Sequence, residues 1–388
     1  MSAATPTIVV LGAAFSGLPL THRLLRDLPA EYKVVLVNPA TSLYWNFAAP
    51  RVVAKDNQFA AGNADVFRPI LPAFAAHGPA RFEFVQGKAS ALDPAANTVV
   101  VTTVSDDAAV ASTQRSLVYT HLVIATGSSA PGDWAFKPLG SQAVTEAAIK
   151  ANQVKIAAAK HIVLSGGGAT GVETVGEIAT LYKGTGKTIT ILSAASRLLP
   201  GEREDLGRAA KSQLEKLGVV VRLGVRVTES PPAGPDGVAQ LLLSNGDTLA
   251  SDLHIPTYGL TPNTDFVPAA LLSEGKSVLV TAHMQNPVHD NIWATGDAAD
   301  VAHKKALTVK PMFETLEANL LAAIAGKPKA EFKEYKDVET PIFVPIGGSF
   351  AAGVGAVGGF KVPGFFVWLL KGRTYFVAKA GDVAAGKA

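Results

Sequence analysis

From His161 the chain reads His-Ile-Val-Leu-Ser-Gly-Gly-Gly-Ala-Thr-Gly-Val-Glu-Thr-Val-Gly-Glu, ending at Glu177. A short apolar strand, Ile162 to Leu164, runs into glycines spaced G-x-G-x-x-G at Gly166, Gly168 and Gly171. Val172, Val175, Ile178, Ala179 and Tyr182 then recur at helical spacing. Gly166 suits a tight turn, Gly168 a close backbone approach to a pyrophosphate, and Gly171 a helix packed hard on its sheet. The free N–H groups and dipole at the helix start attract phosphates. Strand before and helix after supply the context that a bare glycine string lacks.

Such a fingerprint ordinarily opens its domain, so its position implies a complete unit before it. Thr7 to Leu11 forms a buried-strand run, followed by Gly12-Ala-Ala-Phe-Ser-Gly17 and a helix with Leu20, Leu24, Leu25 and Leu28 on one face. This is the same fingerprint, Gly12, Ala14 and Gly17, with a methyl at the middle position. The next strand, Lys33 to Val37, ends at Asn38, about where a ribose-binding acid is expected. Two nucleotide sites in one chain are the organising expectation.

At 388 residues the chain has room for two or three domains, each with its own core. Its composition, 48% hydrophobic and 17% charged, is that of a globular protein. A net charge of +3 without Lys/Arg runs argues against a nucleic-acid groove. There is no cysteine, which excludes disulfides, thiolate metal sites and electron transfer through a cysteine pair. Apolar runs stop at about six residues, short of the ~20 that span a membrane. The start of the sequence carries no basic-plus-apolar leader and no Gly after Met1, so neither secretion nor an N-myristoyl anchor is expected.

Ser42-Leu-Tyr-Trp-Asn-Phe-Ala-Ala-Pro-Arg51 either lines a flavin and its phosphates or packs as an aromatic loop on the core. Residues 59–82 suggest a connecting helical region. A meander follows, with strands expected at Phe82 to Val85, Lys88 to Leu92, Thr98 to Val104 and Arg115 to Tyr119. His121 to Ile124 then runs into Ala125-Thr126-Gly127, where a sheet ends at a ligand crevice. In the second unit, strands are expected at Thr188 to Leu192 and Val219 to Leu223. A helix lies between them, and Asn245-Gly246 marks a hairpin. The strand from Asn291 ends in Gly296-Asp297, whose carboxylate suits a ribityl or ribose hydroxyl, or alternatively a helix N-cap.

Four motifs thus occur in one order: G-x-A-x-x-G at 12–17, A-T-G-S at 125–128, G-G-G-A-T-G-V-E at 166–173 and A-T-G-D at 294–297. Together they resemble the glutathione-reductase-like flavoprotein reductases, and within them the apoptosis-inducing-factor family. The stretches 42–51, 121–129, 166–178, 292–301 and 364–376 are most similar to its mitochondrion-associated, ferroptosis-suppressor-type NAD(P)H:quinone oxidoreductases.

The resemblance implies an α/β chain with two Rossmann-like dinucleotide-binding domains and a small α+β C-terminal domain. The FAD domain would be split over 1–130 and 256–326, the NAD(P)H domain would be 131–255, and 327–388 would close the site. Gly12, Ala14 and Gly17 would hold the FAD pyrophosphate, Asn38 the adenosine ribose and Asp297 the ribityl chain, with Arg51, Thr126, Gly127 and Gly296 alongside. Gly166, Gly168 and Gly171 would hold NADH or NADPH. Glu173 would face the nicotinamide, although an early carboxylate also favours the helix dipole. Lys371 and Phe376 match positions near the flavin and the acceptor, where surface and core roles are the plainer alternatives.

The resemblance further implies a quinone or other small acceptor and a cytoplasmic enzyme, peripheral on a membrane such as the mitochondrial outer membrane or a lipid droplet. Asn38 and Ala14 depart from the usual pattern, and the missing myristoylation glycine leaves anchoring open. Ser193 stands where the second fingerprint's ribose acid is expected, and Arg197 lies four residues on, so the site should tolerate a 2′-phosphate. Two other readings keep the fold: a reductase of a ferredoxin- or rubredoxin-type protein, and a redox-sensing, apoptosis-related binder. The run Phe365 to Leu370, flanked by Lys361, Lys371 and Arg373, is either a buried closing helix or a weak membrane contact.

Overall fold

The computed structural model describes residues 5–55, 66–107, 109–235, 237–302, 308–337 and 340–387. Its largest sheet has seven strands in the order Ile292–Ala294, His121–Ile124, Thr7–Leu11, Lys33–Asn38, Phe82–Asp93, Thr98–Thr103 and Gln114–Val118. The first five are parallel and the last two return antiparallel as a meander. Thr7–Leu11 is central, with Val9 paired to Val35 on one side and Leu122 on the other. Its fully apolar tetrapeptide Ile8 to Leu11 is what a strand covered on both faces requires.

A second, four-stranded parallel sheet orders Val220–Leu223, Thr188–Ser193, His161–Ser165 and Leu253–Pro256. The hairpin of Ala239–Leu243 and Thr248–Ser251 lies beside it, with Gly246 in its turn at φ +87°. Chain leaving the first sheet at Ser128–Ser129 pairs antiparallel with chain returning at Thr261–Pro262, so the second sheet is an insertion on a two-stranded stalk. A three-stranded antiparallel sheet, Ile342–Val344, Val354–Val357 and Phe360–Val362, follows. The last helix, Lys379–Ala384, returns to the N-terminal helix Gly17–Asp27, where His22 Nε2 bonds the Ala384 carbonyl at 2.9 Å.

Three local expectations are corrected. Within 59–82, the described part holds a short strand, Phe67–Pro69, paired with Ser42–Tyr44, and a 3-10 turn, Leu71–Phe74; the rest lies outside the described residues. Pro69 and Pro72 remove the N–H donors a helix would need there. The two strands expected between 82 and 92 are one strand, Phe82–Asp93, carrying an irregularity between Ala89 and Ala91. Gly87 lies where a Cβ would meet Val101 at 2.5 Å, which is why this strand has a glycine mid-run. A helix absent from the sequence reading, Gln142–Ala158, crosses into the second sheet.

Candidate functional site

Three parallel neighbours of the first sheet end side by side, and three motifs emerge from their carboxyl ends. In the first, Gly12 adopts φ +101° and donates its N–H to the Val37 carbonyl at 2.8 Å. A Cβ there would lie 2.3 Å from the Ala125 carbonyl oxygen, and one at Gly17 would lie 1.9 Å from the Gly12 oxygen. Both positions therefore demand glycine. The helix Gly17–Asp27 has no side-chain cap and no acid in its first turn, so the positive end of its dipole is not neutralised by a side chain; the N–H groups of Leu18 and Leu20 bond the Ala14 and Ser16 carbonyls. Asn38 faces this loop: its Oδ1 accepts from Ala13 N–H at 2.9 Å and its Nδ2 donates to the Ala40 carbonyl.

Thr126 and Gly127 are clamped by Asn263, whose Nδ2 donates to the Thr126 carbonyl and whose N–H donates to that of Gly127. Gly296 faces Ser16 of the first loop, where a Cβ would sit 3.0 Å from the hydroxyl. Asp297 lies within the 3-10 turn Gly296–Ala298. Its Oδ2 accepts from Ser128 Oγ at 2.7 Å and Lys137 Nζ at 2.8 Å, so the carboxylate is held at the mouth of the crevice. Phe15, inside the first fingerprint, packs edge-on against Trp45 and Phe47, with centroids 5.1 and 4.8 Å away. Phe376 joins Phe47 at 6.5 Å. The aromatic stretch from Ser42 is thus packed against the first glycine loop, as the packing alternative for it has it.

On the second sheet, Gly166 adopts φ +122° against Thr257, and a Cβ at Gly171 would strike the Gly166 oxygen at 1.9 Å. Gly168 is different: no atom lies within 4 Å of where its Cβ would be, so it opens onto free space at the start of the helix Ala169–Leu181. Ser193 Oγ donates to the Arg197 carbonyl at 3.0 Å. Arg197 turns an Nη2 to the carbonyls of Pro200 and Glu202, shaping the loop beside the site.

Glu173, the fifth residue of that helix, is only 3% exposed and accepts from Lys371 Nζ at 2.5 Å. Burial raises its pKa, with Lys371 pulling the other way and Glu177 adding to the rise. One turn on, Glu177 Oε1 accepts from Arg51 Nη2 at 2.8 Å and from the Tyr375 hydroxyl at 3.1 Å. Arg51 therefore sits with the second helix and the tail, its guanidinium committed to Glu177 and to the carbonyls of Gly372 and Arg373. Burial and the two glutamates push the Tyr375 phenol up, so it stays protonated and donates. Lys371 belongs to a π-helical turn, Trp368–Gly372, an irregularity common at functional sites.

Sequence reasoning assigned no role to Glu177, Tyr375, Lys137 or Ser128. Ser128 closes the A-T-G-S motif, and Glu177 is a second carboxylate four residues after Glu173 on the same buried helix; the other two gave no signal.

Two glycine loops of dinucleotide type, on two parallel sheets joined by a stalk, define a two-site nucleotide oxidoreductase fold. The family model described as pyridine nucleotide-disulphide oxidoreductase matches residues 6–316, and the chain belongs to that family. It is an FAD-dependent NAD(P)H oxidoreductase, and the first loop, which demands glycine at Gly12 and Gly17, fits the FAD pyrophosphate with its uncapped helix. Lacking cysteine, it has no residues for the dithiol chemistry in the family's description.

Oxidoreductase ptaL of Pestalotiopsis fici is 34% identical over 95% of this chain and 96% of its own. Ferroptosis suppressor protein 1 of Taeniopygia guttata is 28% identical over 96% of this chain and 94% of its own, in line with the resemblance to the apoptosis-inducing-factor family. In fold, the chain matches the sulfide:quinone oxidoreductase of Aquifex aeolicus. The TM-score is 0.76 at 18% identity, covering 98% of this chain and 92% of that one.

Proposed function

We propose that the chain passes reducing equivalents from NADH or NADPH through FAD to a quinone-type acceptor. The observation that carries this reading is the buried Glu173–Lys371 pair, set between the second glycine loop and the tail's exposed apolar face. FAD, when bound, supplies the hydride relay. The chain's part is to place and screen the reactants. On this reading 1–130 with 256–326 hold FAD, 131–255 holds NAD(P)H and 327–388 closes the site. Gly12, Ala14 and Gly17 cradle the FAD pyrophosphate, with Asn38, Thr126, Gly127, Gly296 and Asp297 lining the same edge. Gly166, Gly168 and Gly171 take the NAD(P)H pyrophosphate, and Arg197 lies near the adenosine ribose.

Lys371 Nζ offers positive charge where an acceptor oxygen becomes negative, and Glu173 Oε1 fixes that ammonium in place. Phe376 and Phe47 supply an apolar wall.

The acceptor's route is suggested by the tail. Of the run Phe365 to Leu370 only Val367 is buried; Phe365, Phe366, Leu369 and Leu370 are exposed, as are Phe350 at 70% and Phe360 at 80%. With the exposed Lys361 and Arg373 around it, this face suits reversible rest on a lipid interface. No helix among the described residues is long and apolar enough to cross a membrane. One neighbour in fold is named a sulfide:quinone oxidoreductase, a name in keeping with a quinone acceptor. The test is steady-state NAD(P)H oxidation with short-tailed quinones against a small acidic iron–sulfur protein. Faster, salt-insensitive turnover with quinone supports the reading, and salt-sensitive turnover with the protein alone replaces it with the protein-reductase alternative.

A further inference from the structure

We propose that Arg51, Glu177 and Tyr375 are positioning residues that latch the tail so that Lys371 lies on Glu173. The inference rests on the reading of Lys371 as the group facing the acceptor. Between the π-helical turn and the final helix the tail has no sheet partner, and Tyr375 and Phe376 both take positive φ, +49° and +57°. Two successive non-glycine residues in this region persist only where their surroundings over-determine them. Those surroundings come from two distant stretches of chain. Arg51, from the short helix Ala49–Val52, donates through Nη2 to the Gly372 carbonyl at 2.6 Å and through Nη1 to that of Arg373 at 3.2 Å.

The same guanidinium bonds Glu177 Oε1 through Nε at 3.1 Å and Nη2 at 2.8 Å, and lies 4.7 Å over the Tyr375 ring. Tyr375 closes the triangle: its hydroxyl donates to Glu177 and its carbonyl accepts from Trp45 Nε1 at 2.7 Å. Glu177 is one turn from Glu173 on a single helix, so fixing Tyr375 and Gly372 on Glu177 sets where Lys371, one residue before Gly372, can reach. The planar fork reaches the two carbonyls and the carboxylate from three separate nitrogens, a spread that the single nitrogen of an ammonium does not reproduce.

The experiment is a double-mutant cycle on the acceptor half of the reaction, using holoenzyme reduced by NAD(P)H and mixed rapidly with a short-tailed quinone. Arg51→Lys should slow acceptor reduction about tenfold while flavin content is retained. Lys371→Met should slow it at least as much, and the double variant should match Lys371→Met alone, because the latch acts through that lysine. Tyr375→Phe, which removes one hydroxyl from an unchanged ring, should slow it by a smaller factor and replaces Arg51→Lys in the cycle if that variant fails to fold. Multiplying losses, or an Arg51→Lys enzyme as fast as the parent, would overturn the latch while leaving Lys371's role intact. A Lys371→Met enzyme with the parent rate would instead remove the reading beneath it, and the latch with it.

Discussion

Lys371 Nζ lies 2.5 Å from Glu173 Oε1, although 198 residues separate the two in sequence. The contact brings the C-terminal tail onto the helix whose start forms the second glycine loop. Gly176, on the same helix, permits a second close approach: a Cβ there would sit 2.8 Å from the Gly347 nitrogen. The tail and the nucleotide helix are therefore packed backbone to backbone.

Removing one member of this pair should be costly. Glu173→Gln leaves a mostly buried ammonium with a neutral partner, and the expected loss is about 3 kcal/mol of unfolding free energy. Urea unfolding measures it. A loss below about 1 kcal/mol would mean that water already screens the pair.

Two glycines of the second fingerprint should behave in opposite ways. Gly168→Ala adds its methyl to open space, so fold and bound flavin should survive while the KM for NAD(P)H rises about tenfold or more. Gly171→Ala drives its methyl to 1.9 Å from the Gly166 oxygen and should lower the melting temperature as well. Thermal melts and initial rates on both variants check the contrast. Equal melting losses would contradict it.

Stability should depend on His121. Burial holds its imidazole down at about 4, against an ordinary 6.5. The unfolded chain therefore binds the proton first as pH falls below 6.5, and this residue's share of stability is lost between 6.5 and about 4. Going from pH 7 to 4.5, the parent should lose about 2 kcal/mol more than His121→Gln. Denaturant titrations at the two pH values decide it, and equal losses would show that His121 is protonated in the folded protein.

The exposed tail gives a direct lipid test. The parent should float with anionic liposomes, weakly and less at high salt, while Trp368→Ser combined with Leu369→Ser should stay behind. Long-tailed quinones should then gain turnover from liposomes with the parent only. A parent that never floats would make the face a surface without lipid contact.

The glycine loops were legible because each glycine answers a local demand, a positive φ at Gly12 and Gly166 or a steric limit at Gly17 and Gly171. The helix Gln142–Ala158 was not, because its buried face alternates Ile149 and Ile156 with the polar Thr145 and Asn152. Asn152 is turned to the backbone of Ala135 and Asp133, which supports the segment carrying Lys137. Arg51 was read as a residue alongside the FAD, and its partner was illegible, since nothing local ties it to Glu177, 126 residues away. The tail run, apolar on all sides, left a buried helix and a weak membrane contact both open. A switch from the α turn Gly364–Val367 to the π turn Trp368–Gly372 leaves Val367 alone inside and turns its neighbours out.

The most direct test of the account is anaerobic and spectroscopic. The purified holoenzyme should show a flavin absorbance that one equivalent of NADH or NADPH bleaches, and a short-tailed quinone added without oxygen should restore it fully within the turnover time. A flavin that either nucleotide bleaches but that quinone leaves bleached would contradict the proposed acceptor. A flavin that neither nucleotide bleaches would contradict the whole electron path.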